Sequence, residues 1–259
     1  MIKQYVIITG AAGFLGSYLS EKFLMNNFGL ILIDVNKKKL VKLKEKLVKK
    51  NTLFSIEIFP INITRENFIK KTLNNLIKKK LKFSCLINNA AIDAKPKKNS
   101  NRKYLSKIQW DKELDVGLTG SYLMTKYFGE HMFRQKSGKI INIGSDLSVI
   151  SPNQEIYKKG YKNYYKPASY SAIKHGLLGL TKYFATLYAI NNVTCNMVSP
   201  GPILNDQSNY LVNNIKKITP MKRLASRSDV FGLIMFLINE DSNFITGQNL
   251  LVDGGRTII

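Results

Sequence analysis

Tyr170 and Lys174, in the run Tyr170-Ser171-Ala172-Ile173-Lys174, stand four residues apart in a segment with helical patterning. At that spacing both side chains project from one face of a helix. A free phenol has a pKa of about 10, and a neighbouring ammonium favours the phenolate. Such a tyrosine gives a proton to a substrate oxygen, or takes one from it, near neutral pH. At the other end of the chain, Thr9-Gly10-Ala11-Ala12-Gly13-Phe14-Leu15-Gly16 follows a strand-like run and opens a helical one. Glycines there permit a tight turn, close backbone approach to a pyrophosphate and close helix–sheet contact. The helix N-terminus then offers free N–H groups to phosphate oxygens. Asp34 ends the second strand-like run, 24 residues after Gly10. A carboxylate at that place hydrogen-bonds a ribose 2′-OH and repels a 2′-phosphate, which favours NAD over NADP.

These residues need a scaffold, and the pattern of the chain supplies one. Strand-like runs occur at Tyr5–Thr9, Leu30–Asp34, Phe54–Phe59, Phe83–Asn88, Lys139–Gly144, Val193–Val198 and Asn249–Val252. Helix-length periodic segments lie between them, near 14–26, 37–50, 65–80, 107–136, 169–190 and 228–238. The alternation predicts βαβ units and a doubly wound parallel sheet with helices on both faces. In open sheets of that kind ligands sit beyond the carboxyl ends of the strands. Gly10, Asp34, Asn89, Ser145 and Pro200 all fall just after strands. One domain over 1–259 is expected, with no internal repeat or linker. Two stretches break the rhythm: the polar, basic Asp93–Lys107, and 146–168, rich in Tyr and Lys.

Composition narrows the class. The 259 residues suffice for one large domain with a substantial core. The net charge of +23 is nearly all lysine, spread along helix faces such as Lys37 to Lys50 and Lys70 to Lys82. No nucleic-acid motif accompanies it, so a solvated surface is the reading and no nucleic-acid partner is expected. Apolar runs such as Leu233 to Ile238 are far too short to cross a bilayer. Met1 leads directly into a strand without a signal-peptide layout, so a soluble cytoplasmic protein without a membrane partner is expected. Cys85 and Cys195 lie in apolar runs and read as buried core residues; two isolated thiols make neither a disulfide framework nor a metal site.

The ordered set of motifs resembles the short-chain dehydrogenase/reductase family, in its short single-domain branch. Beside the glycine loop, Asn88-Asn89-Ala90-Ala91 is similar to the family's Asn-Asn-Ala-Gly signature. Trp110-Asp111 and Asp115-Val116-Gly117-Leu118-Thr119-Gly120 resemble its central helix motif. Ile141-Asn142-Ile143-Gly144-Ser145, Tyr170-x-x-x-Lys174, Ser199-Pro200-Gly201 and the run from Ile245 to Gly255 complete the order. The likeness spans essentially the whole chain and implies a single-domain Rossmann fold of about seven strands. It implies that Ser145 hydrogen-bonds the substrate oxygen, that Tyr170 is the general acid/base, and that Lys174 assists Tyr170 and holds the nicotinamide ribose. It implies cofactor contacts at Gly10, Gly13, Phe14, Leu15, Gly16, Asp34, Asn62, Ile63, Asn89, Ala90, Tyr170, Lys174, Pro200, Gly201 and Ile203. It also implies a dimer or tetramer of identical chains, packed through the helices around 107–136 and 169–190.

The chain departs from that pattern in four places. Phe14 directly after Gly13 is a spacing typical of the family's extended branch, which includes sugar epimerases and dehydratases. Gly117 stands where an Asn usually helps hold a water in a proton relay; a relay through backbone and solvent is expected in its place. Asn62 stands where an Asp commonly meets the adenine, and its amide oxygen accepts the same hydrogen bond. Ser145 and Tyr170 are 25 residues apart, an insertion carrying Tyr157, Tyr161, Tyr164 and Tyr165 with Lys158, Lys159, Lys162 and Lys166. Long loops in compact domains are often lids, and aromatic faces with lysines suit a polar, anionic ligand. The alternative is a surface loop for packing or assembly. The runs around Tyr170 and from Pro200 to Gln207 also resemble oxidoreductases of bacterial flagellin-modification and surface-sugar pathways.

The sequence therefore points to an NAD-dependent oxidoreductase that interconverts a secondary alcohol and a carbonyl on a small molecule, with a sugar or sugar derivative as the substrate class. Two alternatives stay open: a redox-neutral sugar epimerase or dehydratase, and an NAD-binding regulatory protein without turnover.

Overall fold

The structure, a computed structural model, describes residues 4–51, 53–92, 103–158 and 164–259. Most of the stretch Asp93–Lys107, and Lys159, Tyr161 and Lys162 of the insertion, lie outside the described residues. The seven strands are β1 (Gln4–Thr9), β2 (Gly29–Ile33), β3 (Ile56–Phe59), β4 (Lys82–Asn88), β5 (Gly138–Ile143), β6 (Val193–Pro200) and β7 (Asn249–Val252). They form one parallel sheet in the order β3-β2-β1-β4-β5-β6-β7. Each strand lies within two residues of its sequence reading.

The strands are apolar on both faces because helices cover both faces. Side chains alternate between them with period two. Val6, Ile8, Leu30 and Leu32 face one core, which α1 (Phe14–Met25), α2 (Lys37–Val48) and the helix Arg227–Ile238 close. Tyr5, Ile7, Ile31 and Ile33 face the other, closed by α3 (Glu66–Lys78), the helical rod 107–134 and the helix Ala168–Tyr188. Within the rod the segments Asp115–Thr119 and Thr125–Gly129 wind as π-helix. The buried Cys85 and Cys195 sit in these cores, where burial pushes both thiols up from their ordinary pKa.

Two helices escape the sequence reading: the short Glu155–Lys158 in the insertion, and Asn209–Lys217 after β6. They pack on each other through Ile156, Leu211 and Ile215, with Leu224 beneath. Each is too short and too polar to show a long apolar period. No described helix is long and apolar enough to cross a membrane.

The crevice that matters lies where β1 pairs with both β2 and β4. Crossovers leave β1 in opposite directions there, so the loops at the carboxyl ends of the strands part and leave space between them. Every strand points the same way, so Gly10, Asp34, Asn89, Ser145 and Pro200 arrive at one edge of the sheet.

Candidate active site

A cleft of about 550 Å³ opens at that edge. Phe14, Leu15, Asn89, Ser145, Tyr170, Lys174, Pro200, Gly201 and Ile203 line it, so three strand ends and the helix Ala168–Tyr188 converge on one space. Gly10, Gly13, Gly16, Asp34, Asn62, Ile63 and Ala90 are not part of its lining. Most of them shape the loops around it.

The glycine loop is set by backbone geometry. Gly10 has φ +62°, and a Cβ there would sit 2.9 Å from the Ala90 Cα. A Cβ on Gly16 would sit 2.3 Å from the Gly10 carbonyl oxygen. Only glycine lets loop, helix and β4 approach this closely. Asn89 then ties the loop down: its amide nitrogen donates to the carbonyls of Thr9 (2.9 Å) and Gly10 (3.2 Å). Thr9 Oγ1 accepts from the backbone N–H groups of Asn89 and Ala90. Helix α1 starts at Gly13 with no side-chain cap, so its first N–H groups are left for another acceptor. Asp34 is fixed by two backbone donors, Ala12 N (3.0 Å) and Asn36 N (2.8 Å), which hold its charge beside the loop. Asn62 bonds Thr64 N (3.0 Å), and Ile63 is buried against Gly120 of the rod. A narrow glycine cradle, unpaired helix N–H groups and a fixed carboxylate at the end of β2 fit a dinucleotide.

The candidate reacting residues, Ser145, Tyr170 and Lys174, rest on a buried polar network. Asn88 of β4 donates to Thr125 Oγ1 (2.9 Å) and Asn142 Oδ1 (2.8 Å). Asn142 of β5 donates in turn to Thr181 Oγ1 (2.9 Å) on the Ala168–Tyr188 helix. One residue before Tyr170, the Ser169 hydroxyl donates to the buried Glu113 carboxylate of the rod. Such ties fix the helix in register and rotation. Lys174 is 6 % exposed, and its Nζ donates to the Ile143 carbonyl at 2.8 Å. It lies 5.5 Å from the centre of the Tyr170 ring. Ser145 lies two residues past the end of β5; its hydroxyl donates to Asp146 Oδ1 (2.9 Å) and accepts from Leu147 N (3.2 Å).

Gly117 lies in the first π segment, and its carbonyl accepts from the Ser121 hydroxyl at 3.0 Å. A Cβ on Gly117 would meet Ile173 Cγ2 at 2.8 Å. Ile173 is β-branched and stiff, so its position and the glycine require one another.

Asp146 and Arg256 reach the site without having been singled out in the sequence, and they meet there Lys166 of the insertion and Asp206 of the run from Pro200 to Gln207. Asp146, Lys166, Asp206 and Arg256 line the cleft. Lys166 Nζ lies 3.8 Å from the centre of the Tyr170 ring, a second ammonium on the phenol. Gln154 clamps its backbone from both sides, accepting from Lys166 N (2.9 Å) and donating to Lys166 O (3.1 Å), which closes the neck of the insertion. Burial pushes the Asp146 carboxyl above the usual aspartate range, against the pull of Arg256 and of the Ser145 and Leu147 donors. Burial beside this pair pushes the Tyr157 phenol up to about 12. For Arg256 the hint in the sequence was the Gly254-Gly255 pair ahead of it, which marks a reversal.

Residues 10–257 match the family model described as enoyl-(acyl carrier protein) reductase. The chain is 33% identical to the 3-oxoacyl-[acyl-carrier-protein] reductase FabG of Buchnera aphidicola subsp. Baizongia pistaciae, over 98% of this chain and 97% of that one. It is 28% identical to the post-translational flagellin modification protein A of Campylobacter coli, over 97% of each. Among solved structures, a short chain dehydrogenase from Leptospira borgpetersenii serovar Hardjo-bovis with bound NAD+ superposes with a TM-score of 0.85 at 28% identity, covering 99% of this chain and 94% of that one.

Proposed function

This chain belongs to the short-chain dehydrogenase/reductase family and is an NAD(P)-dependent oxidoreductase acting on a CH–OH group, and from that premise we propose that it oxidises or reduces a sugar or sugar derivative with NAD. One observation carries the substrate class. The cleft beside Ser145 and Tyr170 is furnished with hydrogen-bonding side chains, Asp146, Lys166, Asn205, Asp206, Gln207 and Arg256. A polyhydroxylated substrate, with a hydroxyl for each such group to meet, matches that lining. The likeness to a flagellin modification protein supports the same reading. Support for NAD comes from Asp34, whose carboxylate stands where a 2′-phosphate would be repelled.

A nicotinamide held by the glycine loop and the Tyr170/Lys174 side of the cleft would supply or accept the hydride. The protein moves the proton. In oxidation Tyr170, as phenolate, takes the alcohol proton while Lys174 stabilises the negative phenol oxygen. The Ser145 hydroxyl rotates from Asp146 to the substrate oxygen and holds it in place. The polar network under β4 and β5 keeps these groups from drifting. The assembly is proposed as a homodimer or homotetramer through Tyr122, Tyr183 and Leu187, large apolar side chains left exposed on the rod and on the Ala168–Tyr188 helix.

The test is a panel of sugars, sugar acids, sugar phosphates, nucleotide sugars and 3-oxoacyl thioesters with NAD+, NADH and their phosphorylated forms. Turnover on a sugar derivative, with one NADH formed per product, is expected. Tyr170→Phe is expected to lower kcat by about 10³-fold while NAD binding persists. Turnover confined to acyl thioesters, or epimerised product without net NADH, overturns the reading.

A further inference from the structure

The end of the chain returns to the cleft. After β7, Gly254 and Gly255 take φ of +66° and +84°, and the chain turns back into a short 3-10 turn, Arg256–Ile258. Asp253 locks the reversal, accepting from Gly255 N (3.0 Å) and Thr257 N (2.8 Å). Arg256 is thereby carried into the lining of the cleft, with a side chain 4% exposed.

Its guanidinium is under-used. Nη1 donates to Asp146 Oδ2. The buried Nε has no acceptor among the described residues, and none of them accepts from Nη2. Nε and Nη2 form the side-on fork of arginine, two parallel N–H vectors that match the two oxygens of a carboxylate. A buried cation with its fork unengaged is costly unless something else occupies it. The position is specific as well. Asp146 Oδ1 accepts from Ser145 Oγ at 2.9 Å, so the fork lies two hydrogen bonds from the hydroxyl that would hold the reacting oxygen.

We infer that Arg256 is a carboxylate-binding subsite, and that the substrate is an acid whose carboxylate lies a few bonds from the carbon that exchanges hydride. The inference deepens the sugar reading above and rests on it for the identity of the rest of the substrate. Asp146 serves two neighbours: it holds Arg256 in place and sets the Ser145 hydroxyl, which links recognition of the acid to the oxygen-holding group.

Matched pairs that differ only in the carboxylate test this: D-gluconate against D-glucitol, and D-glycerate against glycerol. For each, kcat/KM with NAD+ and calorimetric Kd on the NADH-loaded enzyme are measured. Arg256→Met leaves Asp146 buried without its partner and invites misfolding. The working variant is therefore the double replacement Arg256→Gln with Asp146→Asn, which keeps the pair neutral and hydrogen-bonded. The acid-to-neutral ratio is read within each protein, so a general loss of activity cancels. Wild type is expected to prefer the acid of at least one pair by more than 100-fold, and the double variant to lose at least 30-fold of that preference. Equal use of acid and neutral members by wild type, failure of both acids to bind, or a ratio unchanged in the variant overturns the subsite. Oxidation of neutral sugars without acid preference sinks the subsite and keeps the sugar reading. Arg256-dependent binding of an acid, with turnover only on acyl thioesters, keeps the subsite and sinks the sugar reading.

Discussion

The glycine-loop side of the cleft stands on 21 buried apolar side chains, among the described residues, drawn from the sheet, α1, α2 and the helix Arg227–Ile238. The mouth, built from 146–158, 164–168 and the helix Asn209–Lys217, closes on four among the described residues: Ile156, Leu211, Ile215 and Leu224. The first region presents backbone: N–H groups, close-packed glycines and one fixed carboxylate. The second presents side chains: Lys166, Asp206 and, from the chain terminus, Arg256. In the proposed reading the cofactor would be held by geometry that a large core enforces. The substrate, in that reading, would be met by polar groups on a thin layer whose packing is separate from that of the sheet.

The comparison breaks most directly at the cores themselves. Phe23→Ala, in the larger core, is expected to cost about 3–5 kcal/mol. At this size that lowers Tm by roughly 10 °C. Ile156→Ala is expected to shift Tm by only a few degrees, because its small cluster relaxes toward solvent, while substrate KM rises about tenfold through a loosened mouth. Thermal unfolding and steady-state kinetics on both variants check this; similar Tm losses with unchanged KM would erase the distinction.

A smaller effect sharpens the separation of roles. Asp34→Ala removes a carboxylate whose charged hydrogen bonds contribute about 1.5–3 kcal/mol. Its kcat/KM for NAD is expected to fall by about 10- to 100-fold and the value for NADP to rise, with the substrate KM unmoved. A parallel change in substrate KM would show that the two regions are not independent.

The smallest effect concerns how the larger core is pinned. Ser226 and Asp229 form a capping box on the helix Arg227–Ile238. The Arg223 guanidinium and the Ser226 N–H hold the Asp229 carboxyl well below the usual range. A carboxylate with a lowered folded pKa stabilises the fold above its unfolded pKa, and that contribution is lost as pH falls toward the folded value. Asp229→Asn is therefore expected to cost about 1 kcal/mol at pH 7. The gap to wild type closes progressively below about pH 4. Urea unfolding across pH reads it, and a constant gap down to pH 2 would contradict the assignment.

The sheet was legible in the sequence because both of its faces are buried: runs such as Tyr5–Thr9 and Val193–Val198 are unbroken apolar segments between turn residues. Their ends slipped by a residue or two where hydrogen bonding, which the pattern does not show, sets the boundary. The glycine loop and the Tyr170/Lys174 pair were legible because their chemistry is local, within one turn or one helical repeat. The helix Asn209–Lys217 was not, since only Leu211 and Ile215 are buried along it. The two π segments were hidden too, because a π turn has no sequence period of its own over five residues.

By itself the sequence determined the order of strands and helices, the glycine loop proposed to meet a dinucleotide, and the Tyr170/Lys174 pair proposed to move a proton. Each follows from spacing along the chain. The tertiary structure alone decided that Arg256 meets Asp146 across 110 residues. It alone set Lys166 over the Tyr170 ring and closed Gly117 against Ile173. These contacts depend on which strand ends the sheet order brings together and on how far the backbone reverses at Gly254 and Gly255. Side chains distant in sequence carry no periodic mark of the partner they will find.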